Sequence, residues 1–171
     1  MIIQRNSRIC FLNGFLAYEL NKTEISDYLK SVIPSLQLPI LRSDPEHGLK
    51  DLKSIQRTSW DLVIGLSMGG VYAIKIKSKR TLLINPGFGI SEGLKSKYPQ
   101  FYDGFKKLES LPNLATNVKG MIAKEDKIRP FTEPIFISLF GKENLINYPG
   151  QHVPTIEELD KYIIPEITKL L

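Results

Sequence analysis

The chain has 171 residues, of which 42% are apolar and 24% charged, so it can bury one real core and is not a chain dominated by disorder. Its 23 basic and 18 acidic side chains leave a net +5, scattered and without interleaved aromatics, so a nucleic-acid surface is not expected. A single cysteine, Cys10, excludes an internal disulfide framework and any multi-cysteine metal site. The most apolar stretch, Leu62 to Ile76, is broken by Ser67, three glycines and Lys75, which does not fit a membrane span. The first eight residues have neither a long apolar run nor a small-residue cleavage site, so a cytoplasmic protein is the expectation.

Short apolar runs alternate with amphipathic stretches along the chain. Ile9-Cys10-Phe11-Leu12 has strand length and breaks at Asn13-Gly14. Asn21, with Glu24 as capping-box partner, opens a helix whose apolar residues are Ile25, Tyr28, Leu29, Val32 and Ile33, and Pro34 stops it. Leu36 to Leu41 reads as a strand, placed at an edge by Pro39. Leu49, Leu52 and Ile55 form a short helix face, and His47, in Asp-Pro-Glu-His-Gly, is expected in a surface turn. Leu62-Val63-Ile64-Gly65-Leu66 fits a central strand covered on both faces, followed by a helix over Val71 to Lys77. The basic group Lys75, Lys77, Lys79 and Arg80 is expected as the solvated end of that helix.

Thr81 to Ile84, Val118 to Ala123 and Leu145 to Tyr148 are the remaining strands. Thr155 and Glu158 form a second capping box, before a helix with Ile156, Leu159, Ile163, Ile167 and Leu170 on one stripe and a kink at Pro165. This alternation implies one α/β domain over 1–171, with a mostly parallel sheet and helices on both faces. The segment 87–116 interrupts the rhythm. With Phe88, Tyr98, Phe101, Tyr102 and Phe105 it reads as a lid-like helical excursion over one end of the sheet.

Gly65-Leu66-Ser67-Met68-Gly69-Gly70 follows a strand and opens a helix, the setting of a G-x-S-x-G nucleophile elbow. Side chains at Gly65 and Gly69 would collide in so sharp a turn, and the helix start with the Met68 amide suits an oxyanion. Neither a dinucleotide fingerprint nor a P-loop fits, because Ser67 replaces the second glycine of the first and the Lys of the second is absent. A serine needs a base. His152 follows the last strand, on the rim that the elbow shares in a doubly wound sheet. An acid belongs at the end of the preceding strand, where Glu125 and Asp126 both stand. Turn character and the spacing to Pro130 favour Asp126, with Glu125 as runner-up.

In chain order, Asn13-Gly14-Phe15, Gly65 to Gly70, Ile84-Asn85-Pro86, Asp126 and Gly150-Gln151-His152 resemble the motif series of the small α/β-hydrolases, most of all the bacterial YqiA-type esterases. The resemblance covers nearly the whole chain, with Asn13 where a histidine is usual and Ala123 where a glycine is common. It implies a minimal α/β-hydrolase fold of about six strands and a triad of Ser67, His152 and Asp126, with the amides of Phe15 and Met68 as oxyanion hole. The implied activity is hydrolysis of esters or thioesters of small carboxylic acids through an acyl-enzyme, with no cofactor and no metal. Phe88, Tyr98, Phe101 and Tyr102 would roof the acyl pocket, or else form ordinary helix core. The rival expectations are a catalytically silent hydrolase fold that binds a partner, an acyltransferase using the same acyl-enzyme, and a flavodoxin-like nucleotide-binding fold.

Overall fold

Ile9–Leu12 (β1), Leu36–Gln37 (β2), Trp60–Leu66 (β3), Ser78–Ile84 (β4), Val118–Ala123 (β5) and Leu145–Tyr148 (β6) form one sheet in the order β2-β1-β3-β4-β5-β6. Every pairing is parallel. The computed structural model describes residues 7–14 and 23–171. The central strand β3 pairs with β1 from Ile9↔Leu62 to Leu12↔Gly65, and with β4 from Trp60↔Ser78 to Leu66↔Ile84. The helices are α1 (Glu24–Val32), α2 (Pro45–Ile55), α3 (Met68–Ala73), α4 (Ile90–Leu94), α5 (Tyr102–Ser110) and α6 (Arg129–Phe140). After β6 come α7 (Ile156–Glu158) and α8 (Ile164–Leu170), joined by a π turn over Leu159–Ile163.

Alternation along the strands divides the core in two. Ile9, Phe11, Leu62, Ile64, Leu82 and Ile84 face α1 and the C-terminal helix, meeting Ile25, Leu29, Ile33, Leu159, Ile163 and Ile167. Cys10, Leu12, Val63, Leu83 and Ile122 face the opposite way, onto α2, α3, α5 and α6. Both faces are covered, so the buried stretches Ile9 to Leu12, Leu62 to Leu66 and Leu82 to Ile84 are apolar without interruption, as a buried parallel sheet requires. Gly120 of β5 is bare because Phe136 of α6 lies against it: a Cβ there would sit 2.4 Å from the ring. Among the described residues no helix is long and apolar enough to cross a membrane.

Several local expectations shift. The cap of α1 is Thr23, paired with Ser26 in a capping box, and Asn21 lies outside the described residues. A threonine two residues later offers a hydroxyl acceptor in place of the asparagine carboxamide oxygen, so the helix starts at Glu24. β2 is only Leu36–Gln37, at the sheet edge, because the chain turns away before Pro39. His47 is not in a turn: Asp44 caps α2 and Pro45 opens it, which puts His47 in the first helical turn with an exposed ring. At the C-terminus the irregularity falls one turn ahead of Pro165, as the π turn, which leaves Pro165 in the first turn of α8 where no N–H is needed.

The largest correction concerns the basic group. α3 ends at Ala73, and Lys79 and Arg80 belong to β4. Lys75 is only 3% exposed, and its ammonium donates to the carbonyls of Glu109 (3.2 Å) and Leu111 (2.6 Å) and to Asn113 Oδ1 (2.8 Å). It therefore closes the C-terminal end of α5, where the last helical carbonyls lack partners and the helix dipole favours a cation. Burial pushes its pKa below the ordinary lysine value. Ser91 at the start of α4 donates to Glu109 from both N–H and Oγ (3.2 and 2.5 Å), which ties α4 to α5 within the segment 87–116, while Lys75 ties α5 to the body.

Lys75→Met keeps the stem but leaves those carbonyls without a donor, which is expected to cost about 2 kcal/mol. For a chain of this size that is a fall of roughly 4–8 °C in Tm by calorimetry. An unchanged Tm would show that the buried ammonium stabilises nothing.

Candidate active site

Ser67 stands between β3 and α3 with φ 54° and ψ −122°, a backbone conformation that a side chain rarely adopts. The surroundings fix it there. Its N–H donates to Ile84 O of the neighbouring strand (3.0 Å), and its carbonyl accepts from Gly70 N (2.9 Å) and Gly87 N (2.9 Å). A Cβ at Gly65 would meet the Gly69 carbonyl carbon at 2.7 Å, and one at Gly69 would meet Leu12 O at 2.1 Å. Both glycines are thus required by close approach of backbone: strand to helix at Gly65, helix to the end of β1 at Gly69. The result is a hydroxyl raised above the carboxyl end of the sheet.

That end is also where the strand order reverses. From β1 the chain runs out to β2, and from β3 it runs the other way to β4, so a crevice opens above β1 and β3. Gly14, just after β1, comes so close to Ser67 that a Cβ on it would lie 3.2 Å from the serine Cβ. Asn13 braces this loop by accepting from Gly14 N (2.9 Å) and donating to Thr23 Oγ1 (2.8 Å). Phe15 lies outside the described residues. Met68 N–H belongs to the first turn of α3, where a helix offers no internal acceptor.

His152 lies in the loop after β6, with Nε2 2.8 Å from Ser67 Oγ and Nδ1 2.8 Å from Asp126 Oδ2. The Asp126 side chain is 1% exposed against 32% for the imidazole. Its other oxygen accepts Ile128 N–H at 3.0 Å. A buried carboxylate on Nδ1 makes that nitrogen the proton carrier and leaves Nε2 free to accept from the hydroxyl. Ser67, His152 and Asp126 are therefore brought together in one line. Glu125, the runner-up acid, points elsewhere: it accepts from Gly150 N (2.5 Å), and its own N–H donates to Gly150 O (3.0 Å). Cys10 is no competing nucleophile, since it is buried in β1 and burial pushes its thiol pKa up.

A cleft of about 760 Å³ opens beside Ser67 and His152. One wall is Gly87 to Leu94, including Phe88 and Ile90, and the other is the N-terminal half of α6 with its approach, from Ile128 to Ile135. Of the four aromatics expected to roof it, only Phe88 does so. Tyr98 stacks on Phe101 and Phe101 packs edge-on against Phe105, at 6.1 Å each, while the Tyr102 hydroxyl donates to Glu92. These three fasten the excursion to itself and to the core, and do not line the cleft.

The α6 wall escaped the sequence because this helix is apolar on two sides. Thr132 and Phe136 are buried inward, whereas Phe131, Ile135 and Leu139 are 72%, 37% and 46% exposed. Such a pattern has no single stripe to read. Pro134, inside the helix, also disguises it.

Compared with known proteins, the chain matches no family model and no curated sequence. Among solved structures it is similar to the S-formylglutathione hydrolase of Staphylococcus aureus. The two share 16% identity, and the match covers 99% of this chain and 85% of the other with a TM-score of 0.52. The architecture they share is the α/β-hydrolase fold.

Ser67→Gly relieves the unfavourable φ and Ser67→Ala does not. Ser67→Gly is accordingly expected to be the more stable variant by about 1 kcal/mol, after the entropic disadvantage of glycine is deducted. Denaturant titration of the two side by side measures this; equal midpoints would mean that the elbow stores no strain.

Proposed function

We propose that the protein is a serine hydrolase of carboxylic esters or thioesters, working through an acyl-enzyme. One observation carries this reading: the Ser67 hydroxyl, held on a strained turn, lies 2.8 Å from His152 Nε2, whose other ring nitrogen meets the buried carboxylate of Asp126. A hydroxyl so held has a base for its proton, and the base has a partner for the charge it acquires.

The steps follow from those positions. Ser67 Oγ attacks the substrate carbonyl carbon while its proton passes to His152 Nε2. The carbonyl oxygen becomes an oxyanion, and the Met68 and Phe15 N–H groups are assigned to it. Collapse expels the alcohol or thiol, which takes the proton from His152, and leaves Ser67 acylated. Water, deprotonated by His152, then attacks the acyl carbonyl, and the acid departs with Ser67 restored. Asp126 keeps the imidazole in the tautomer that both halves need.

The cleft walls give the acyl group its surroundings. Phe88, Ile90, Leu94, Ile128, Phe131 and Ile135 are apolar, and among the described residues no Lys or Arg lines the cleft. The one carboxylate among the described lining residues, Glu92, is already engaged by Lys106 (3.1 Å) and the Tyr102 hydroxyl (2.8 Å). An uncharged acyl chain suits these walls and an anionic one does not. The similar structure belongs to a hydrolase of S-formylglutathione, whose name places a thioester within the same reaction class.

A fluorophosphonate is expected to add once to the native protein, as read by intact mass. Ser67→Ala abolishes the adduct, and His152→Ala slows its formation by roughly ten-thousandfold. Folded protein that takes no adduct would sink the reading. Ile135→Asp sets a charge in the acyl wall. It is expected to lower kcat/KM for a hexanoate ester about tenfold more than for an acetate ester. Equal losses on the two esters would move the acyl chain off α6.

A further inference from the structure

We propose that Asn85 is a positioning residue that sets the direction of the His152 side chain; its functional meaning rests on the hydrolase reading above, and its physical content on hydrogen-bond geometry. Asn85 follows β4 directly, is completely buried, and has φ 44°, which makes it one of two described non-glycine residues with a positive φ, Ser67 being the other. Its backbone N–H continues the sheet by donating to Met121 O at 2.8 Å. Asparagine tolerates this backbone region better than other side chains, but tolerance does not explain what the carboxamide is bonded to.

The orientation of that carboxamide is unambiguous. Its Oδ1 accepts the Ala123 N–H at 2.7 Å, and a backbone amide can only donate, so the oxygen must face β5. The nitrogen is thereby turned toward the His152 loop. Nδ2 lies 2.7 Å from His152 O, 2.8 Å from the Tyr148 hydroxyl and 3.1 Å from Gln151 O.

Gln151 O belongs to the peptide unit before the His152 Cα, and His152 O to the unit after it. One amide nitrogen therefore reaches both peptide planes that meet at that Cα. Holding both planes fixes the Cα–Cβ bond, and only the two side-chain torsions remain. These are settled by the bonds to Asp126 and Ser67, each 2.8 Å long. The loop has few other means of order. It carries no regular structure between β6 and the Thr155 cap, and Val153 at its crest is 62% exposed. Glu125 ties it at Gly150, two residues earlier, and so fixes where the loop enters without fixing how His152 leaves it.

The chemistry at position 85 is narrow. Aspartate has the same shape and could still accept from Ala123 N–H, but the oxygen in place of Nδ2 would face two carbonyl oxygens where the structure needs a donor. Glycine suits the positive φ and removes the carboxamide alone, so any effect of it is not backbone strain.

The test compares wild type, Asn85→Asp and Asn85→Gly by three measurements: fluorophosphonate labelling resolved into probe binding and reaction, the proton NMR signal of the His152 ring N–H bonded to Asp126, and thermal unfolding. His152→Ala assigns the signal. The expected result is a lost or broadened ring N–H signal in both variants. With it should come a reaction step about 100-fold slower and an unchanged binding step. A folded variant that keeps the wild-type signal and labelling rate overturns the proposal. Failure of both variants to fold also overturns it, because Asn85 would then be a determinant of the fold alone. If wild type itself takes no label, the hydrolase reading fails, and the NMR signal still decides whether Asn85 orients His152.

Discussion

The sharp passage from β3 into α3 is the constraint on which the rest of the site depends. A residue with φ 54° at Ser67 is tenable only where the backbones around it close in. Gly65 meets Gly69, Gly69 meets the last carbonyl of β1, and Gly87 N–H donates to the Ser67 carbonyl. None of these positions accepts a Cβ without moving main chain, except Gly87, where the contacts are ordinary. The turn is thus held at once by its own strand and helix and by the ends of both neighbouring strands, β1 and β4. The same closeness brings the Asn13-Gly14 loop against the serine, so Ser67 and the loop beside it are set by one packing event.

The imidazole of His152 reaches the serine by a different physical route. His152 is on a loop, and loops gain order only from what their polar groups bind. Here the binding is shared between two adjacent carboxylates and one amide. Glu125 holds Gly150, Asp126 holds the imidazole, and Asn85 holds the backbone on either side of it. Glu125 and Asp126 differ by one step in sequence, yet one bonds main chain and the other side chain. Their difference in burial follows: Asp126 is 4% exposed, whereas Glu125 faces solvent at the rim.

Much of this was legible in the residues. The strands were readable because a parallel sheet covered on both faces must be apolar without alternation, as Leu62 to Leu66 is. Ser67 was legible because glycines at fixed offsets between a strand and a helix have few other uses. What stayed hidden depends on contacts distant in sequence. Lys75 reads as one more surface lysine until α5, more than thirty residues on, ends beside it. Tyr98, Phe101 and Tyr102 look like a pocket roof by type, but their partners are one another, Phe105 and Glu92. The second wall of the cleft came instead from α6, whose apolar residues serve two surfaces and so show no stripe. Asn85 is visible in sequence as the middle of the Ile84-Asn85-Pro86 motif, without a role, because its partners Ala123, Gln151 and His152 are distant in the chain.

Strand order does not by itself distinguish this architecture from a nucleotide-binding one. The run β2-β1-β3-β4-β5 is also that of flavodoxin-like sheets, which place their ligand at the same reversal between β1 and β3. The distinction lies in what stands on the rim. A phosphate or flavin site there is made of backbone N–H groups in open loops, with no need of a strained side chain. In this chain the reversal point is filled by a serine in an unfavourable conformation, backed by an imidazole and a buried carboxylate. Strain of that kind persists only where surrounding packing enforces it, and here the enforcing contacts all point the hydroxyl into the cleft between Phe88 and α6. A common sheet thus becomes a hydrolase-like site through one turn, with the cleft beside it left apolar because no cation from either wall reaches in.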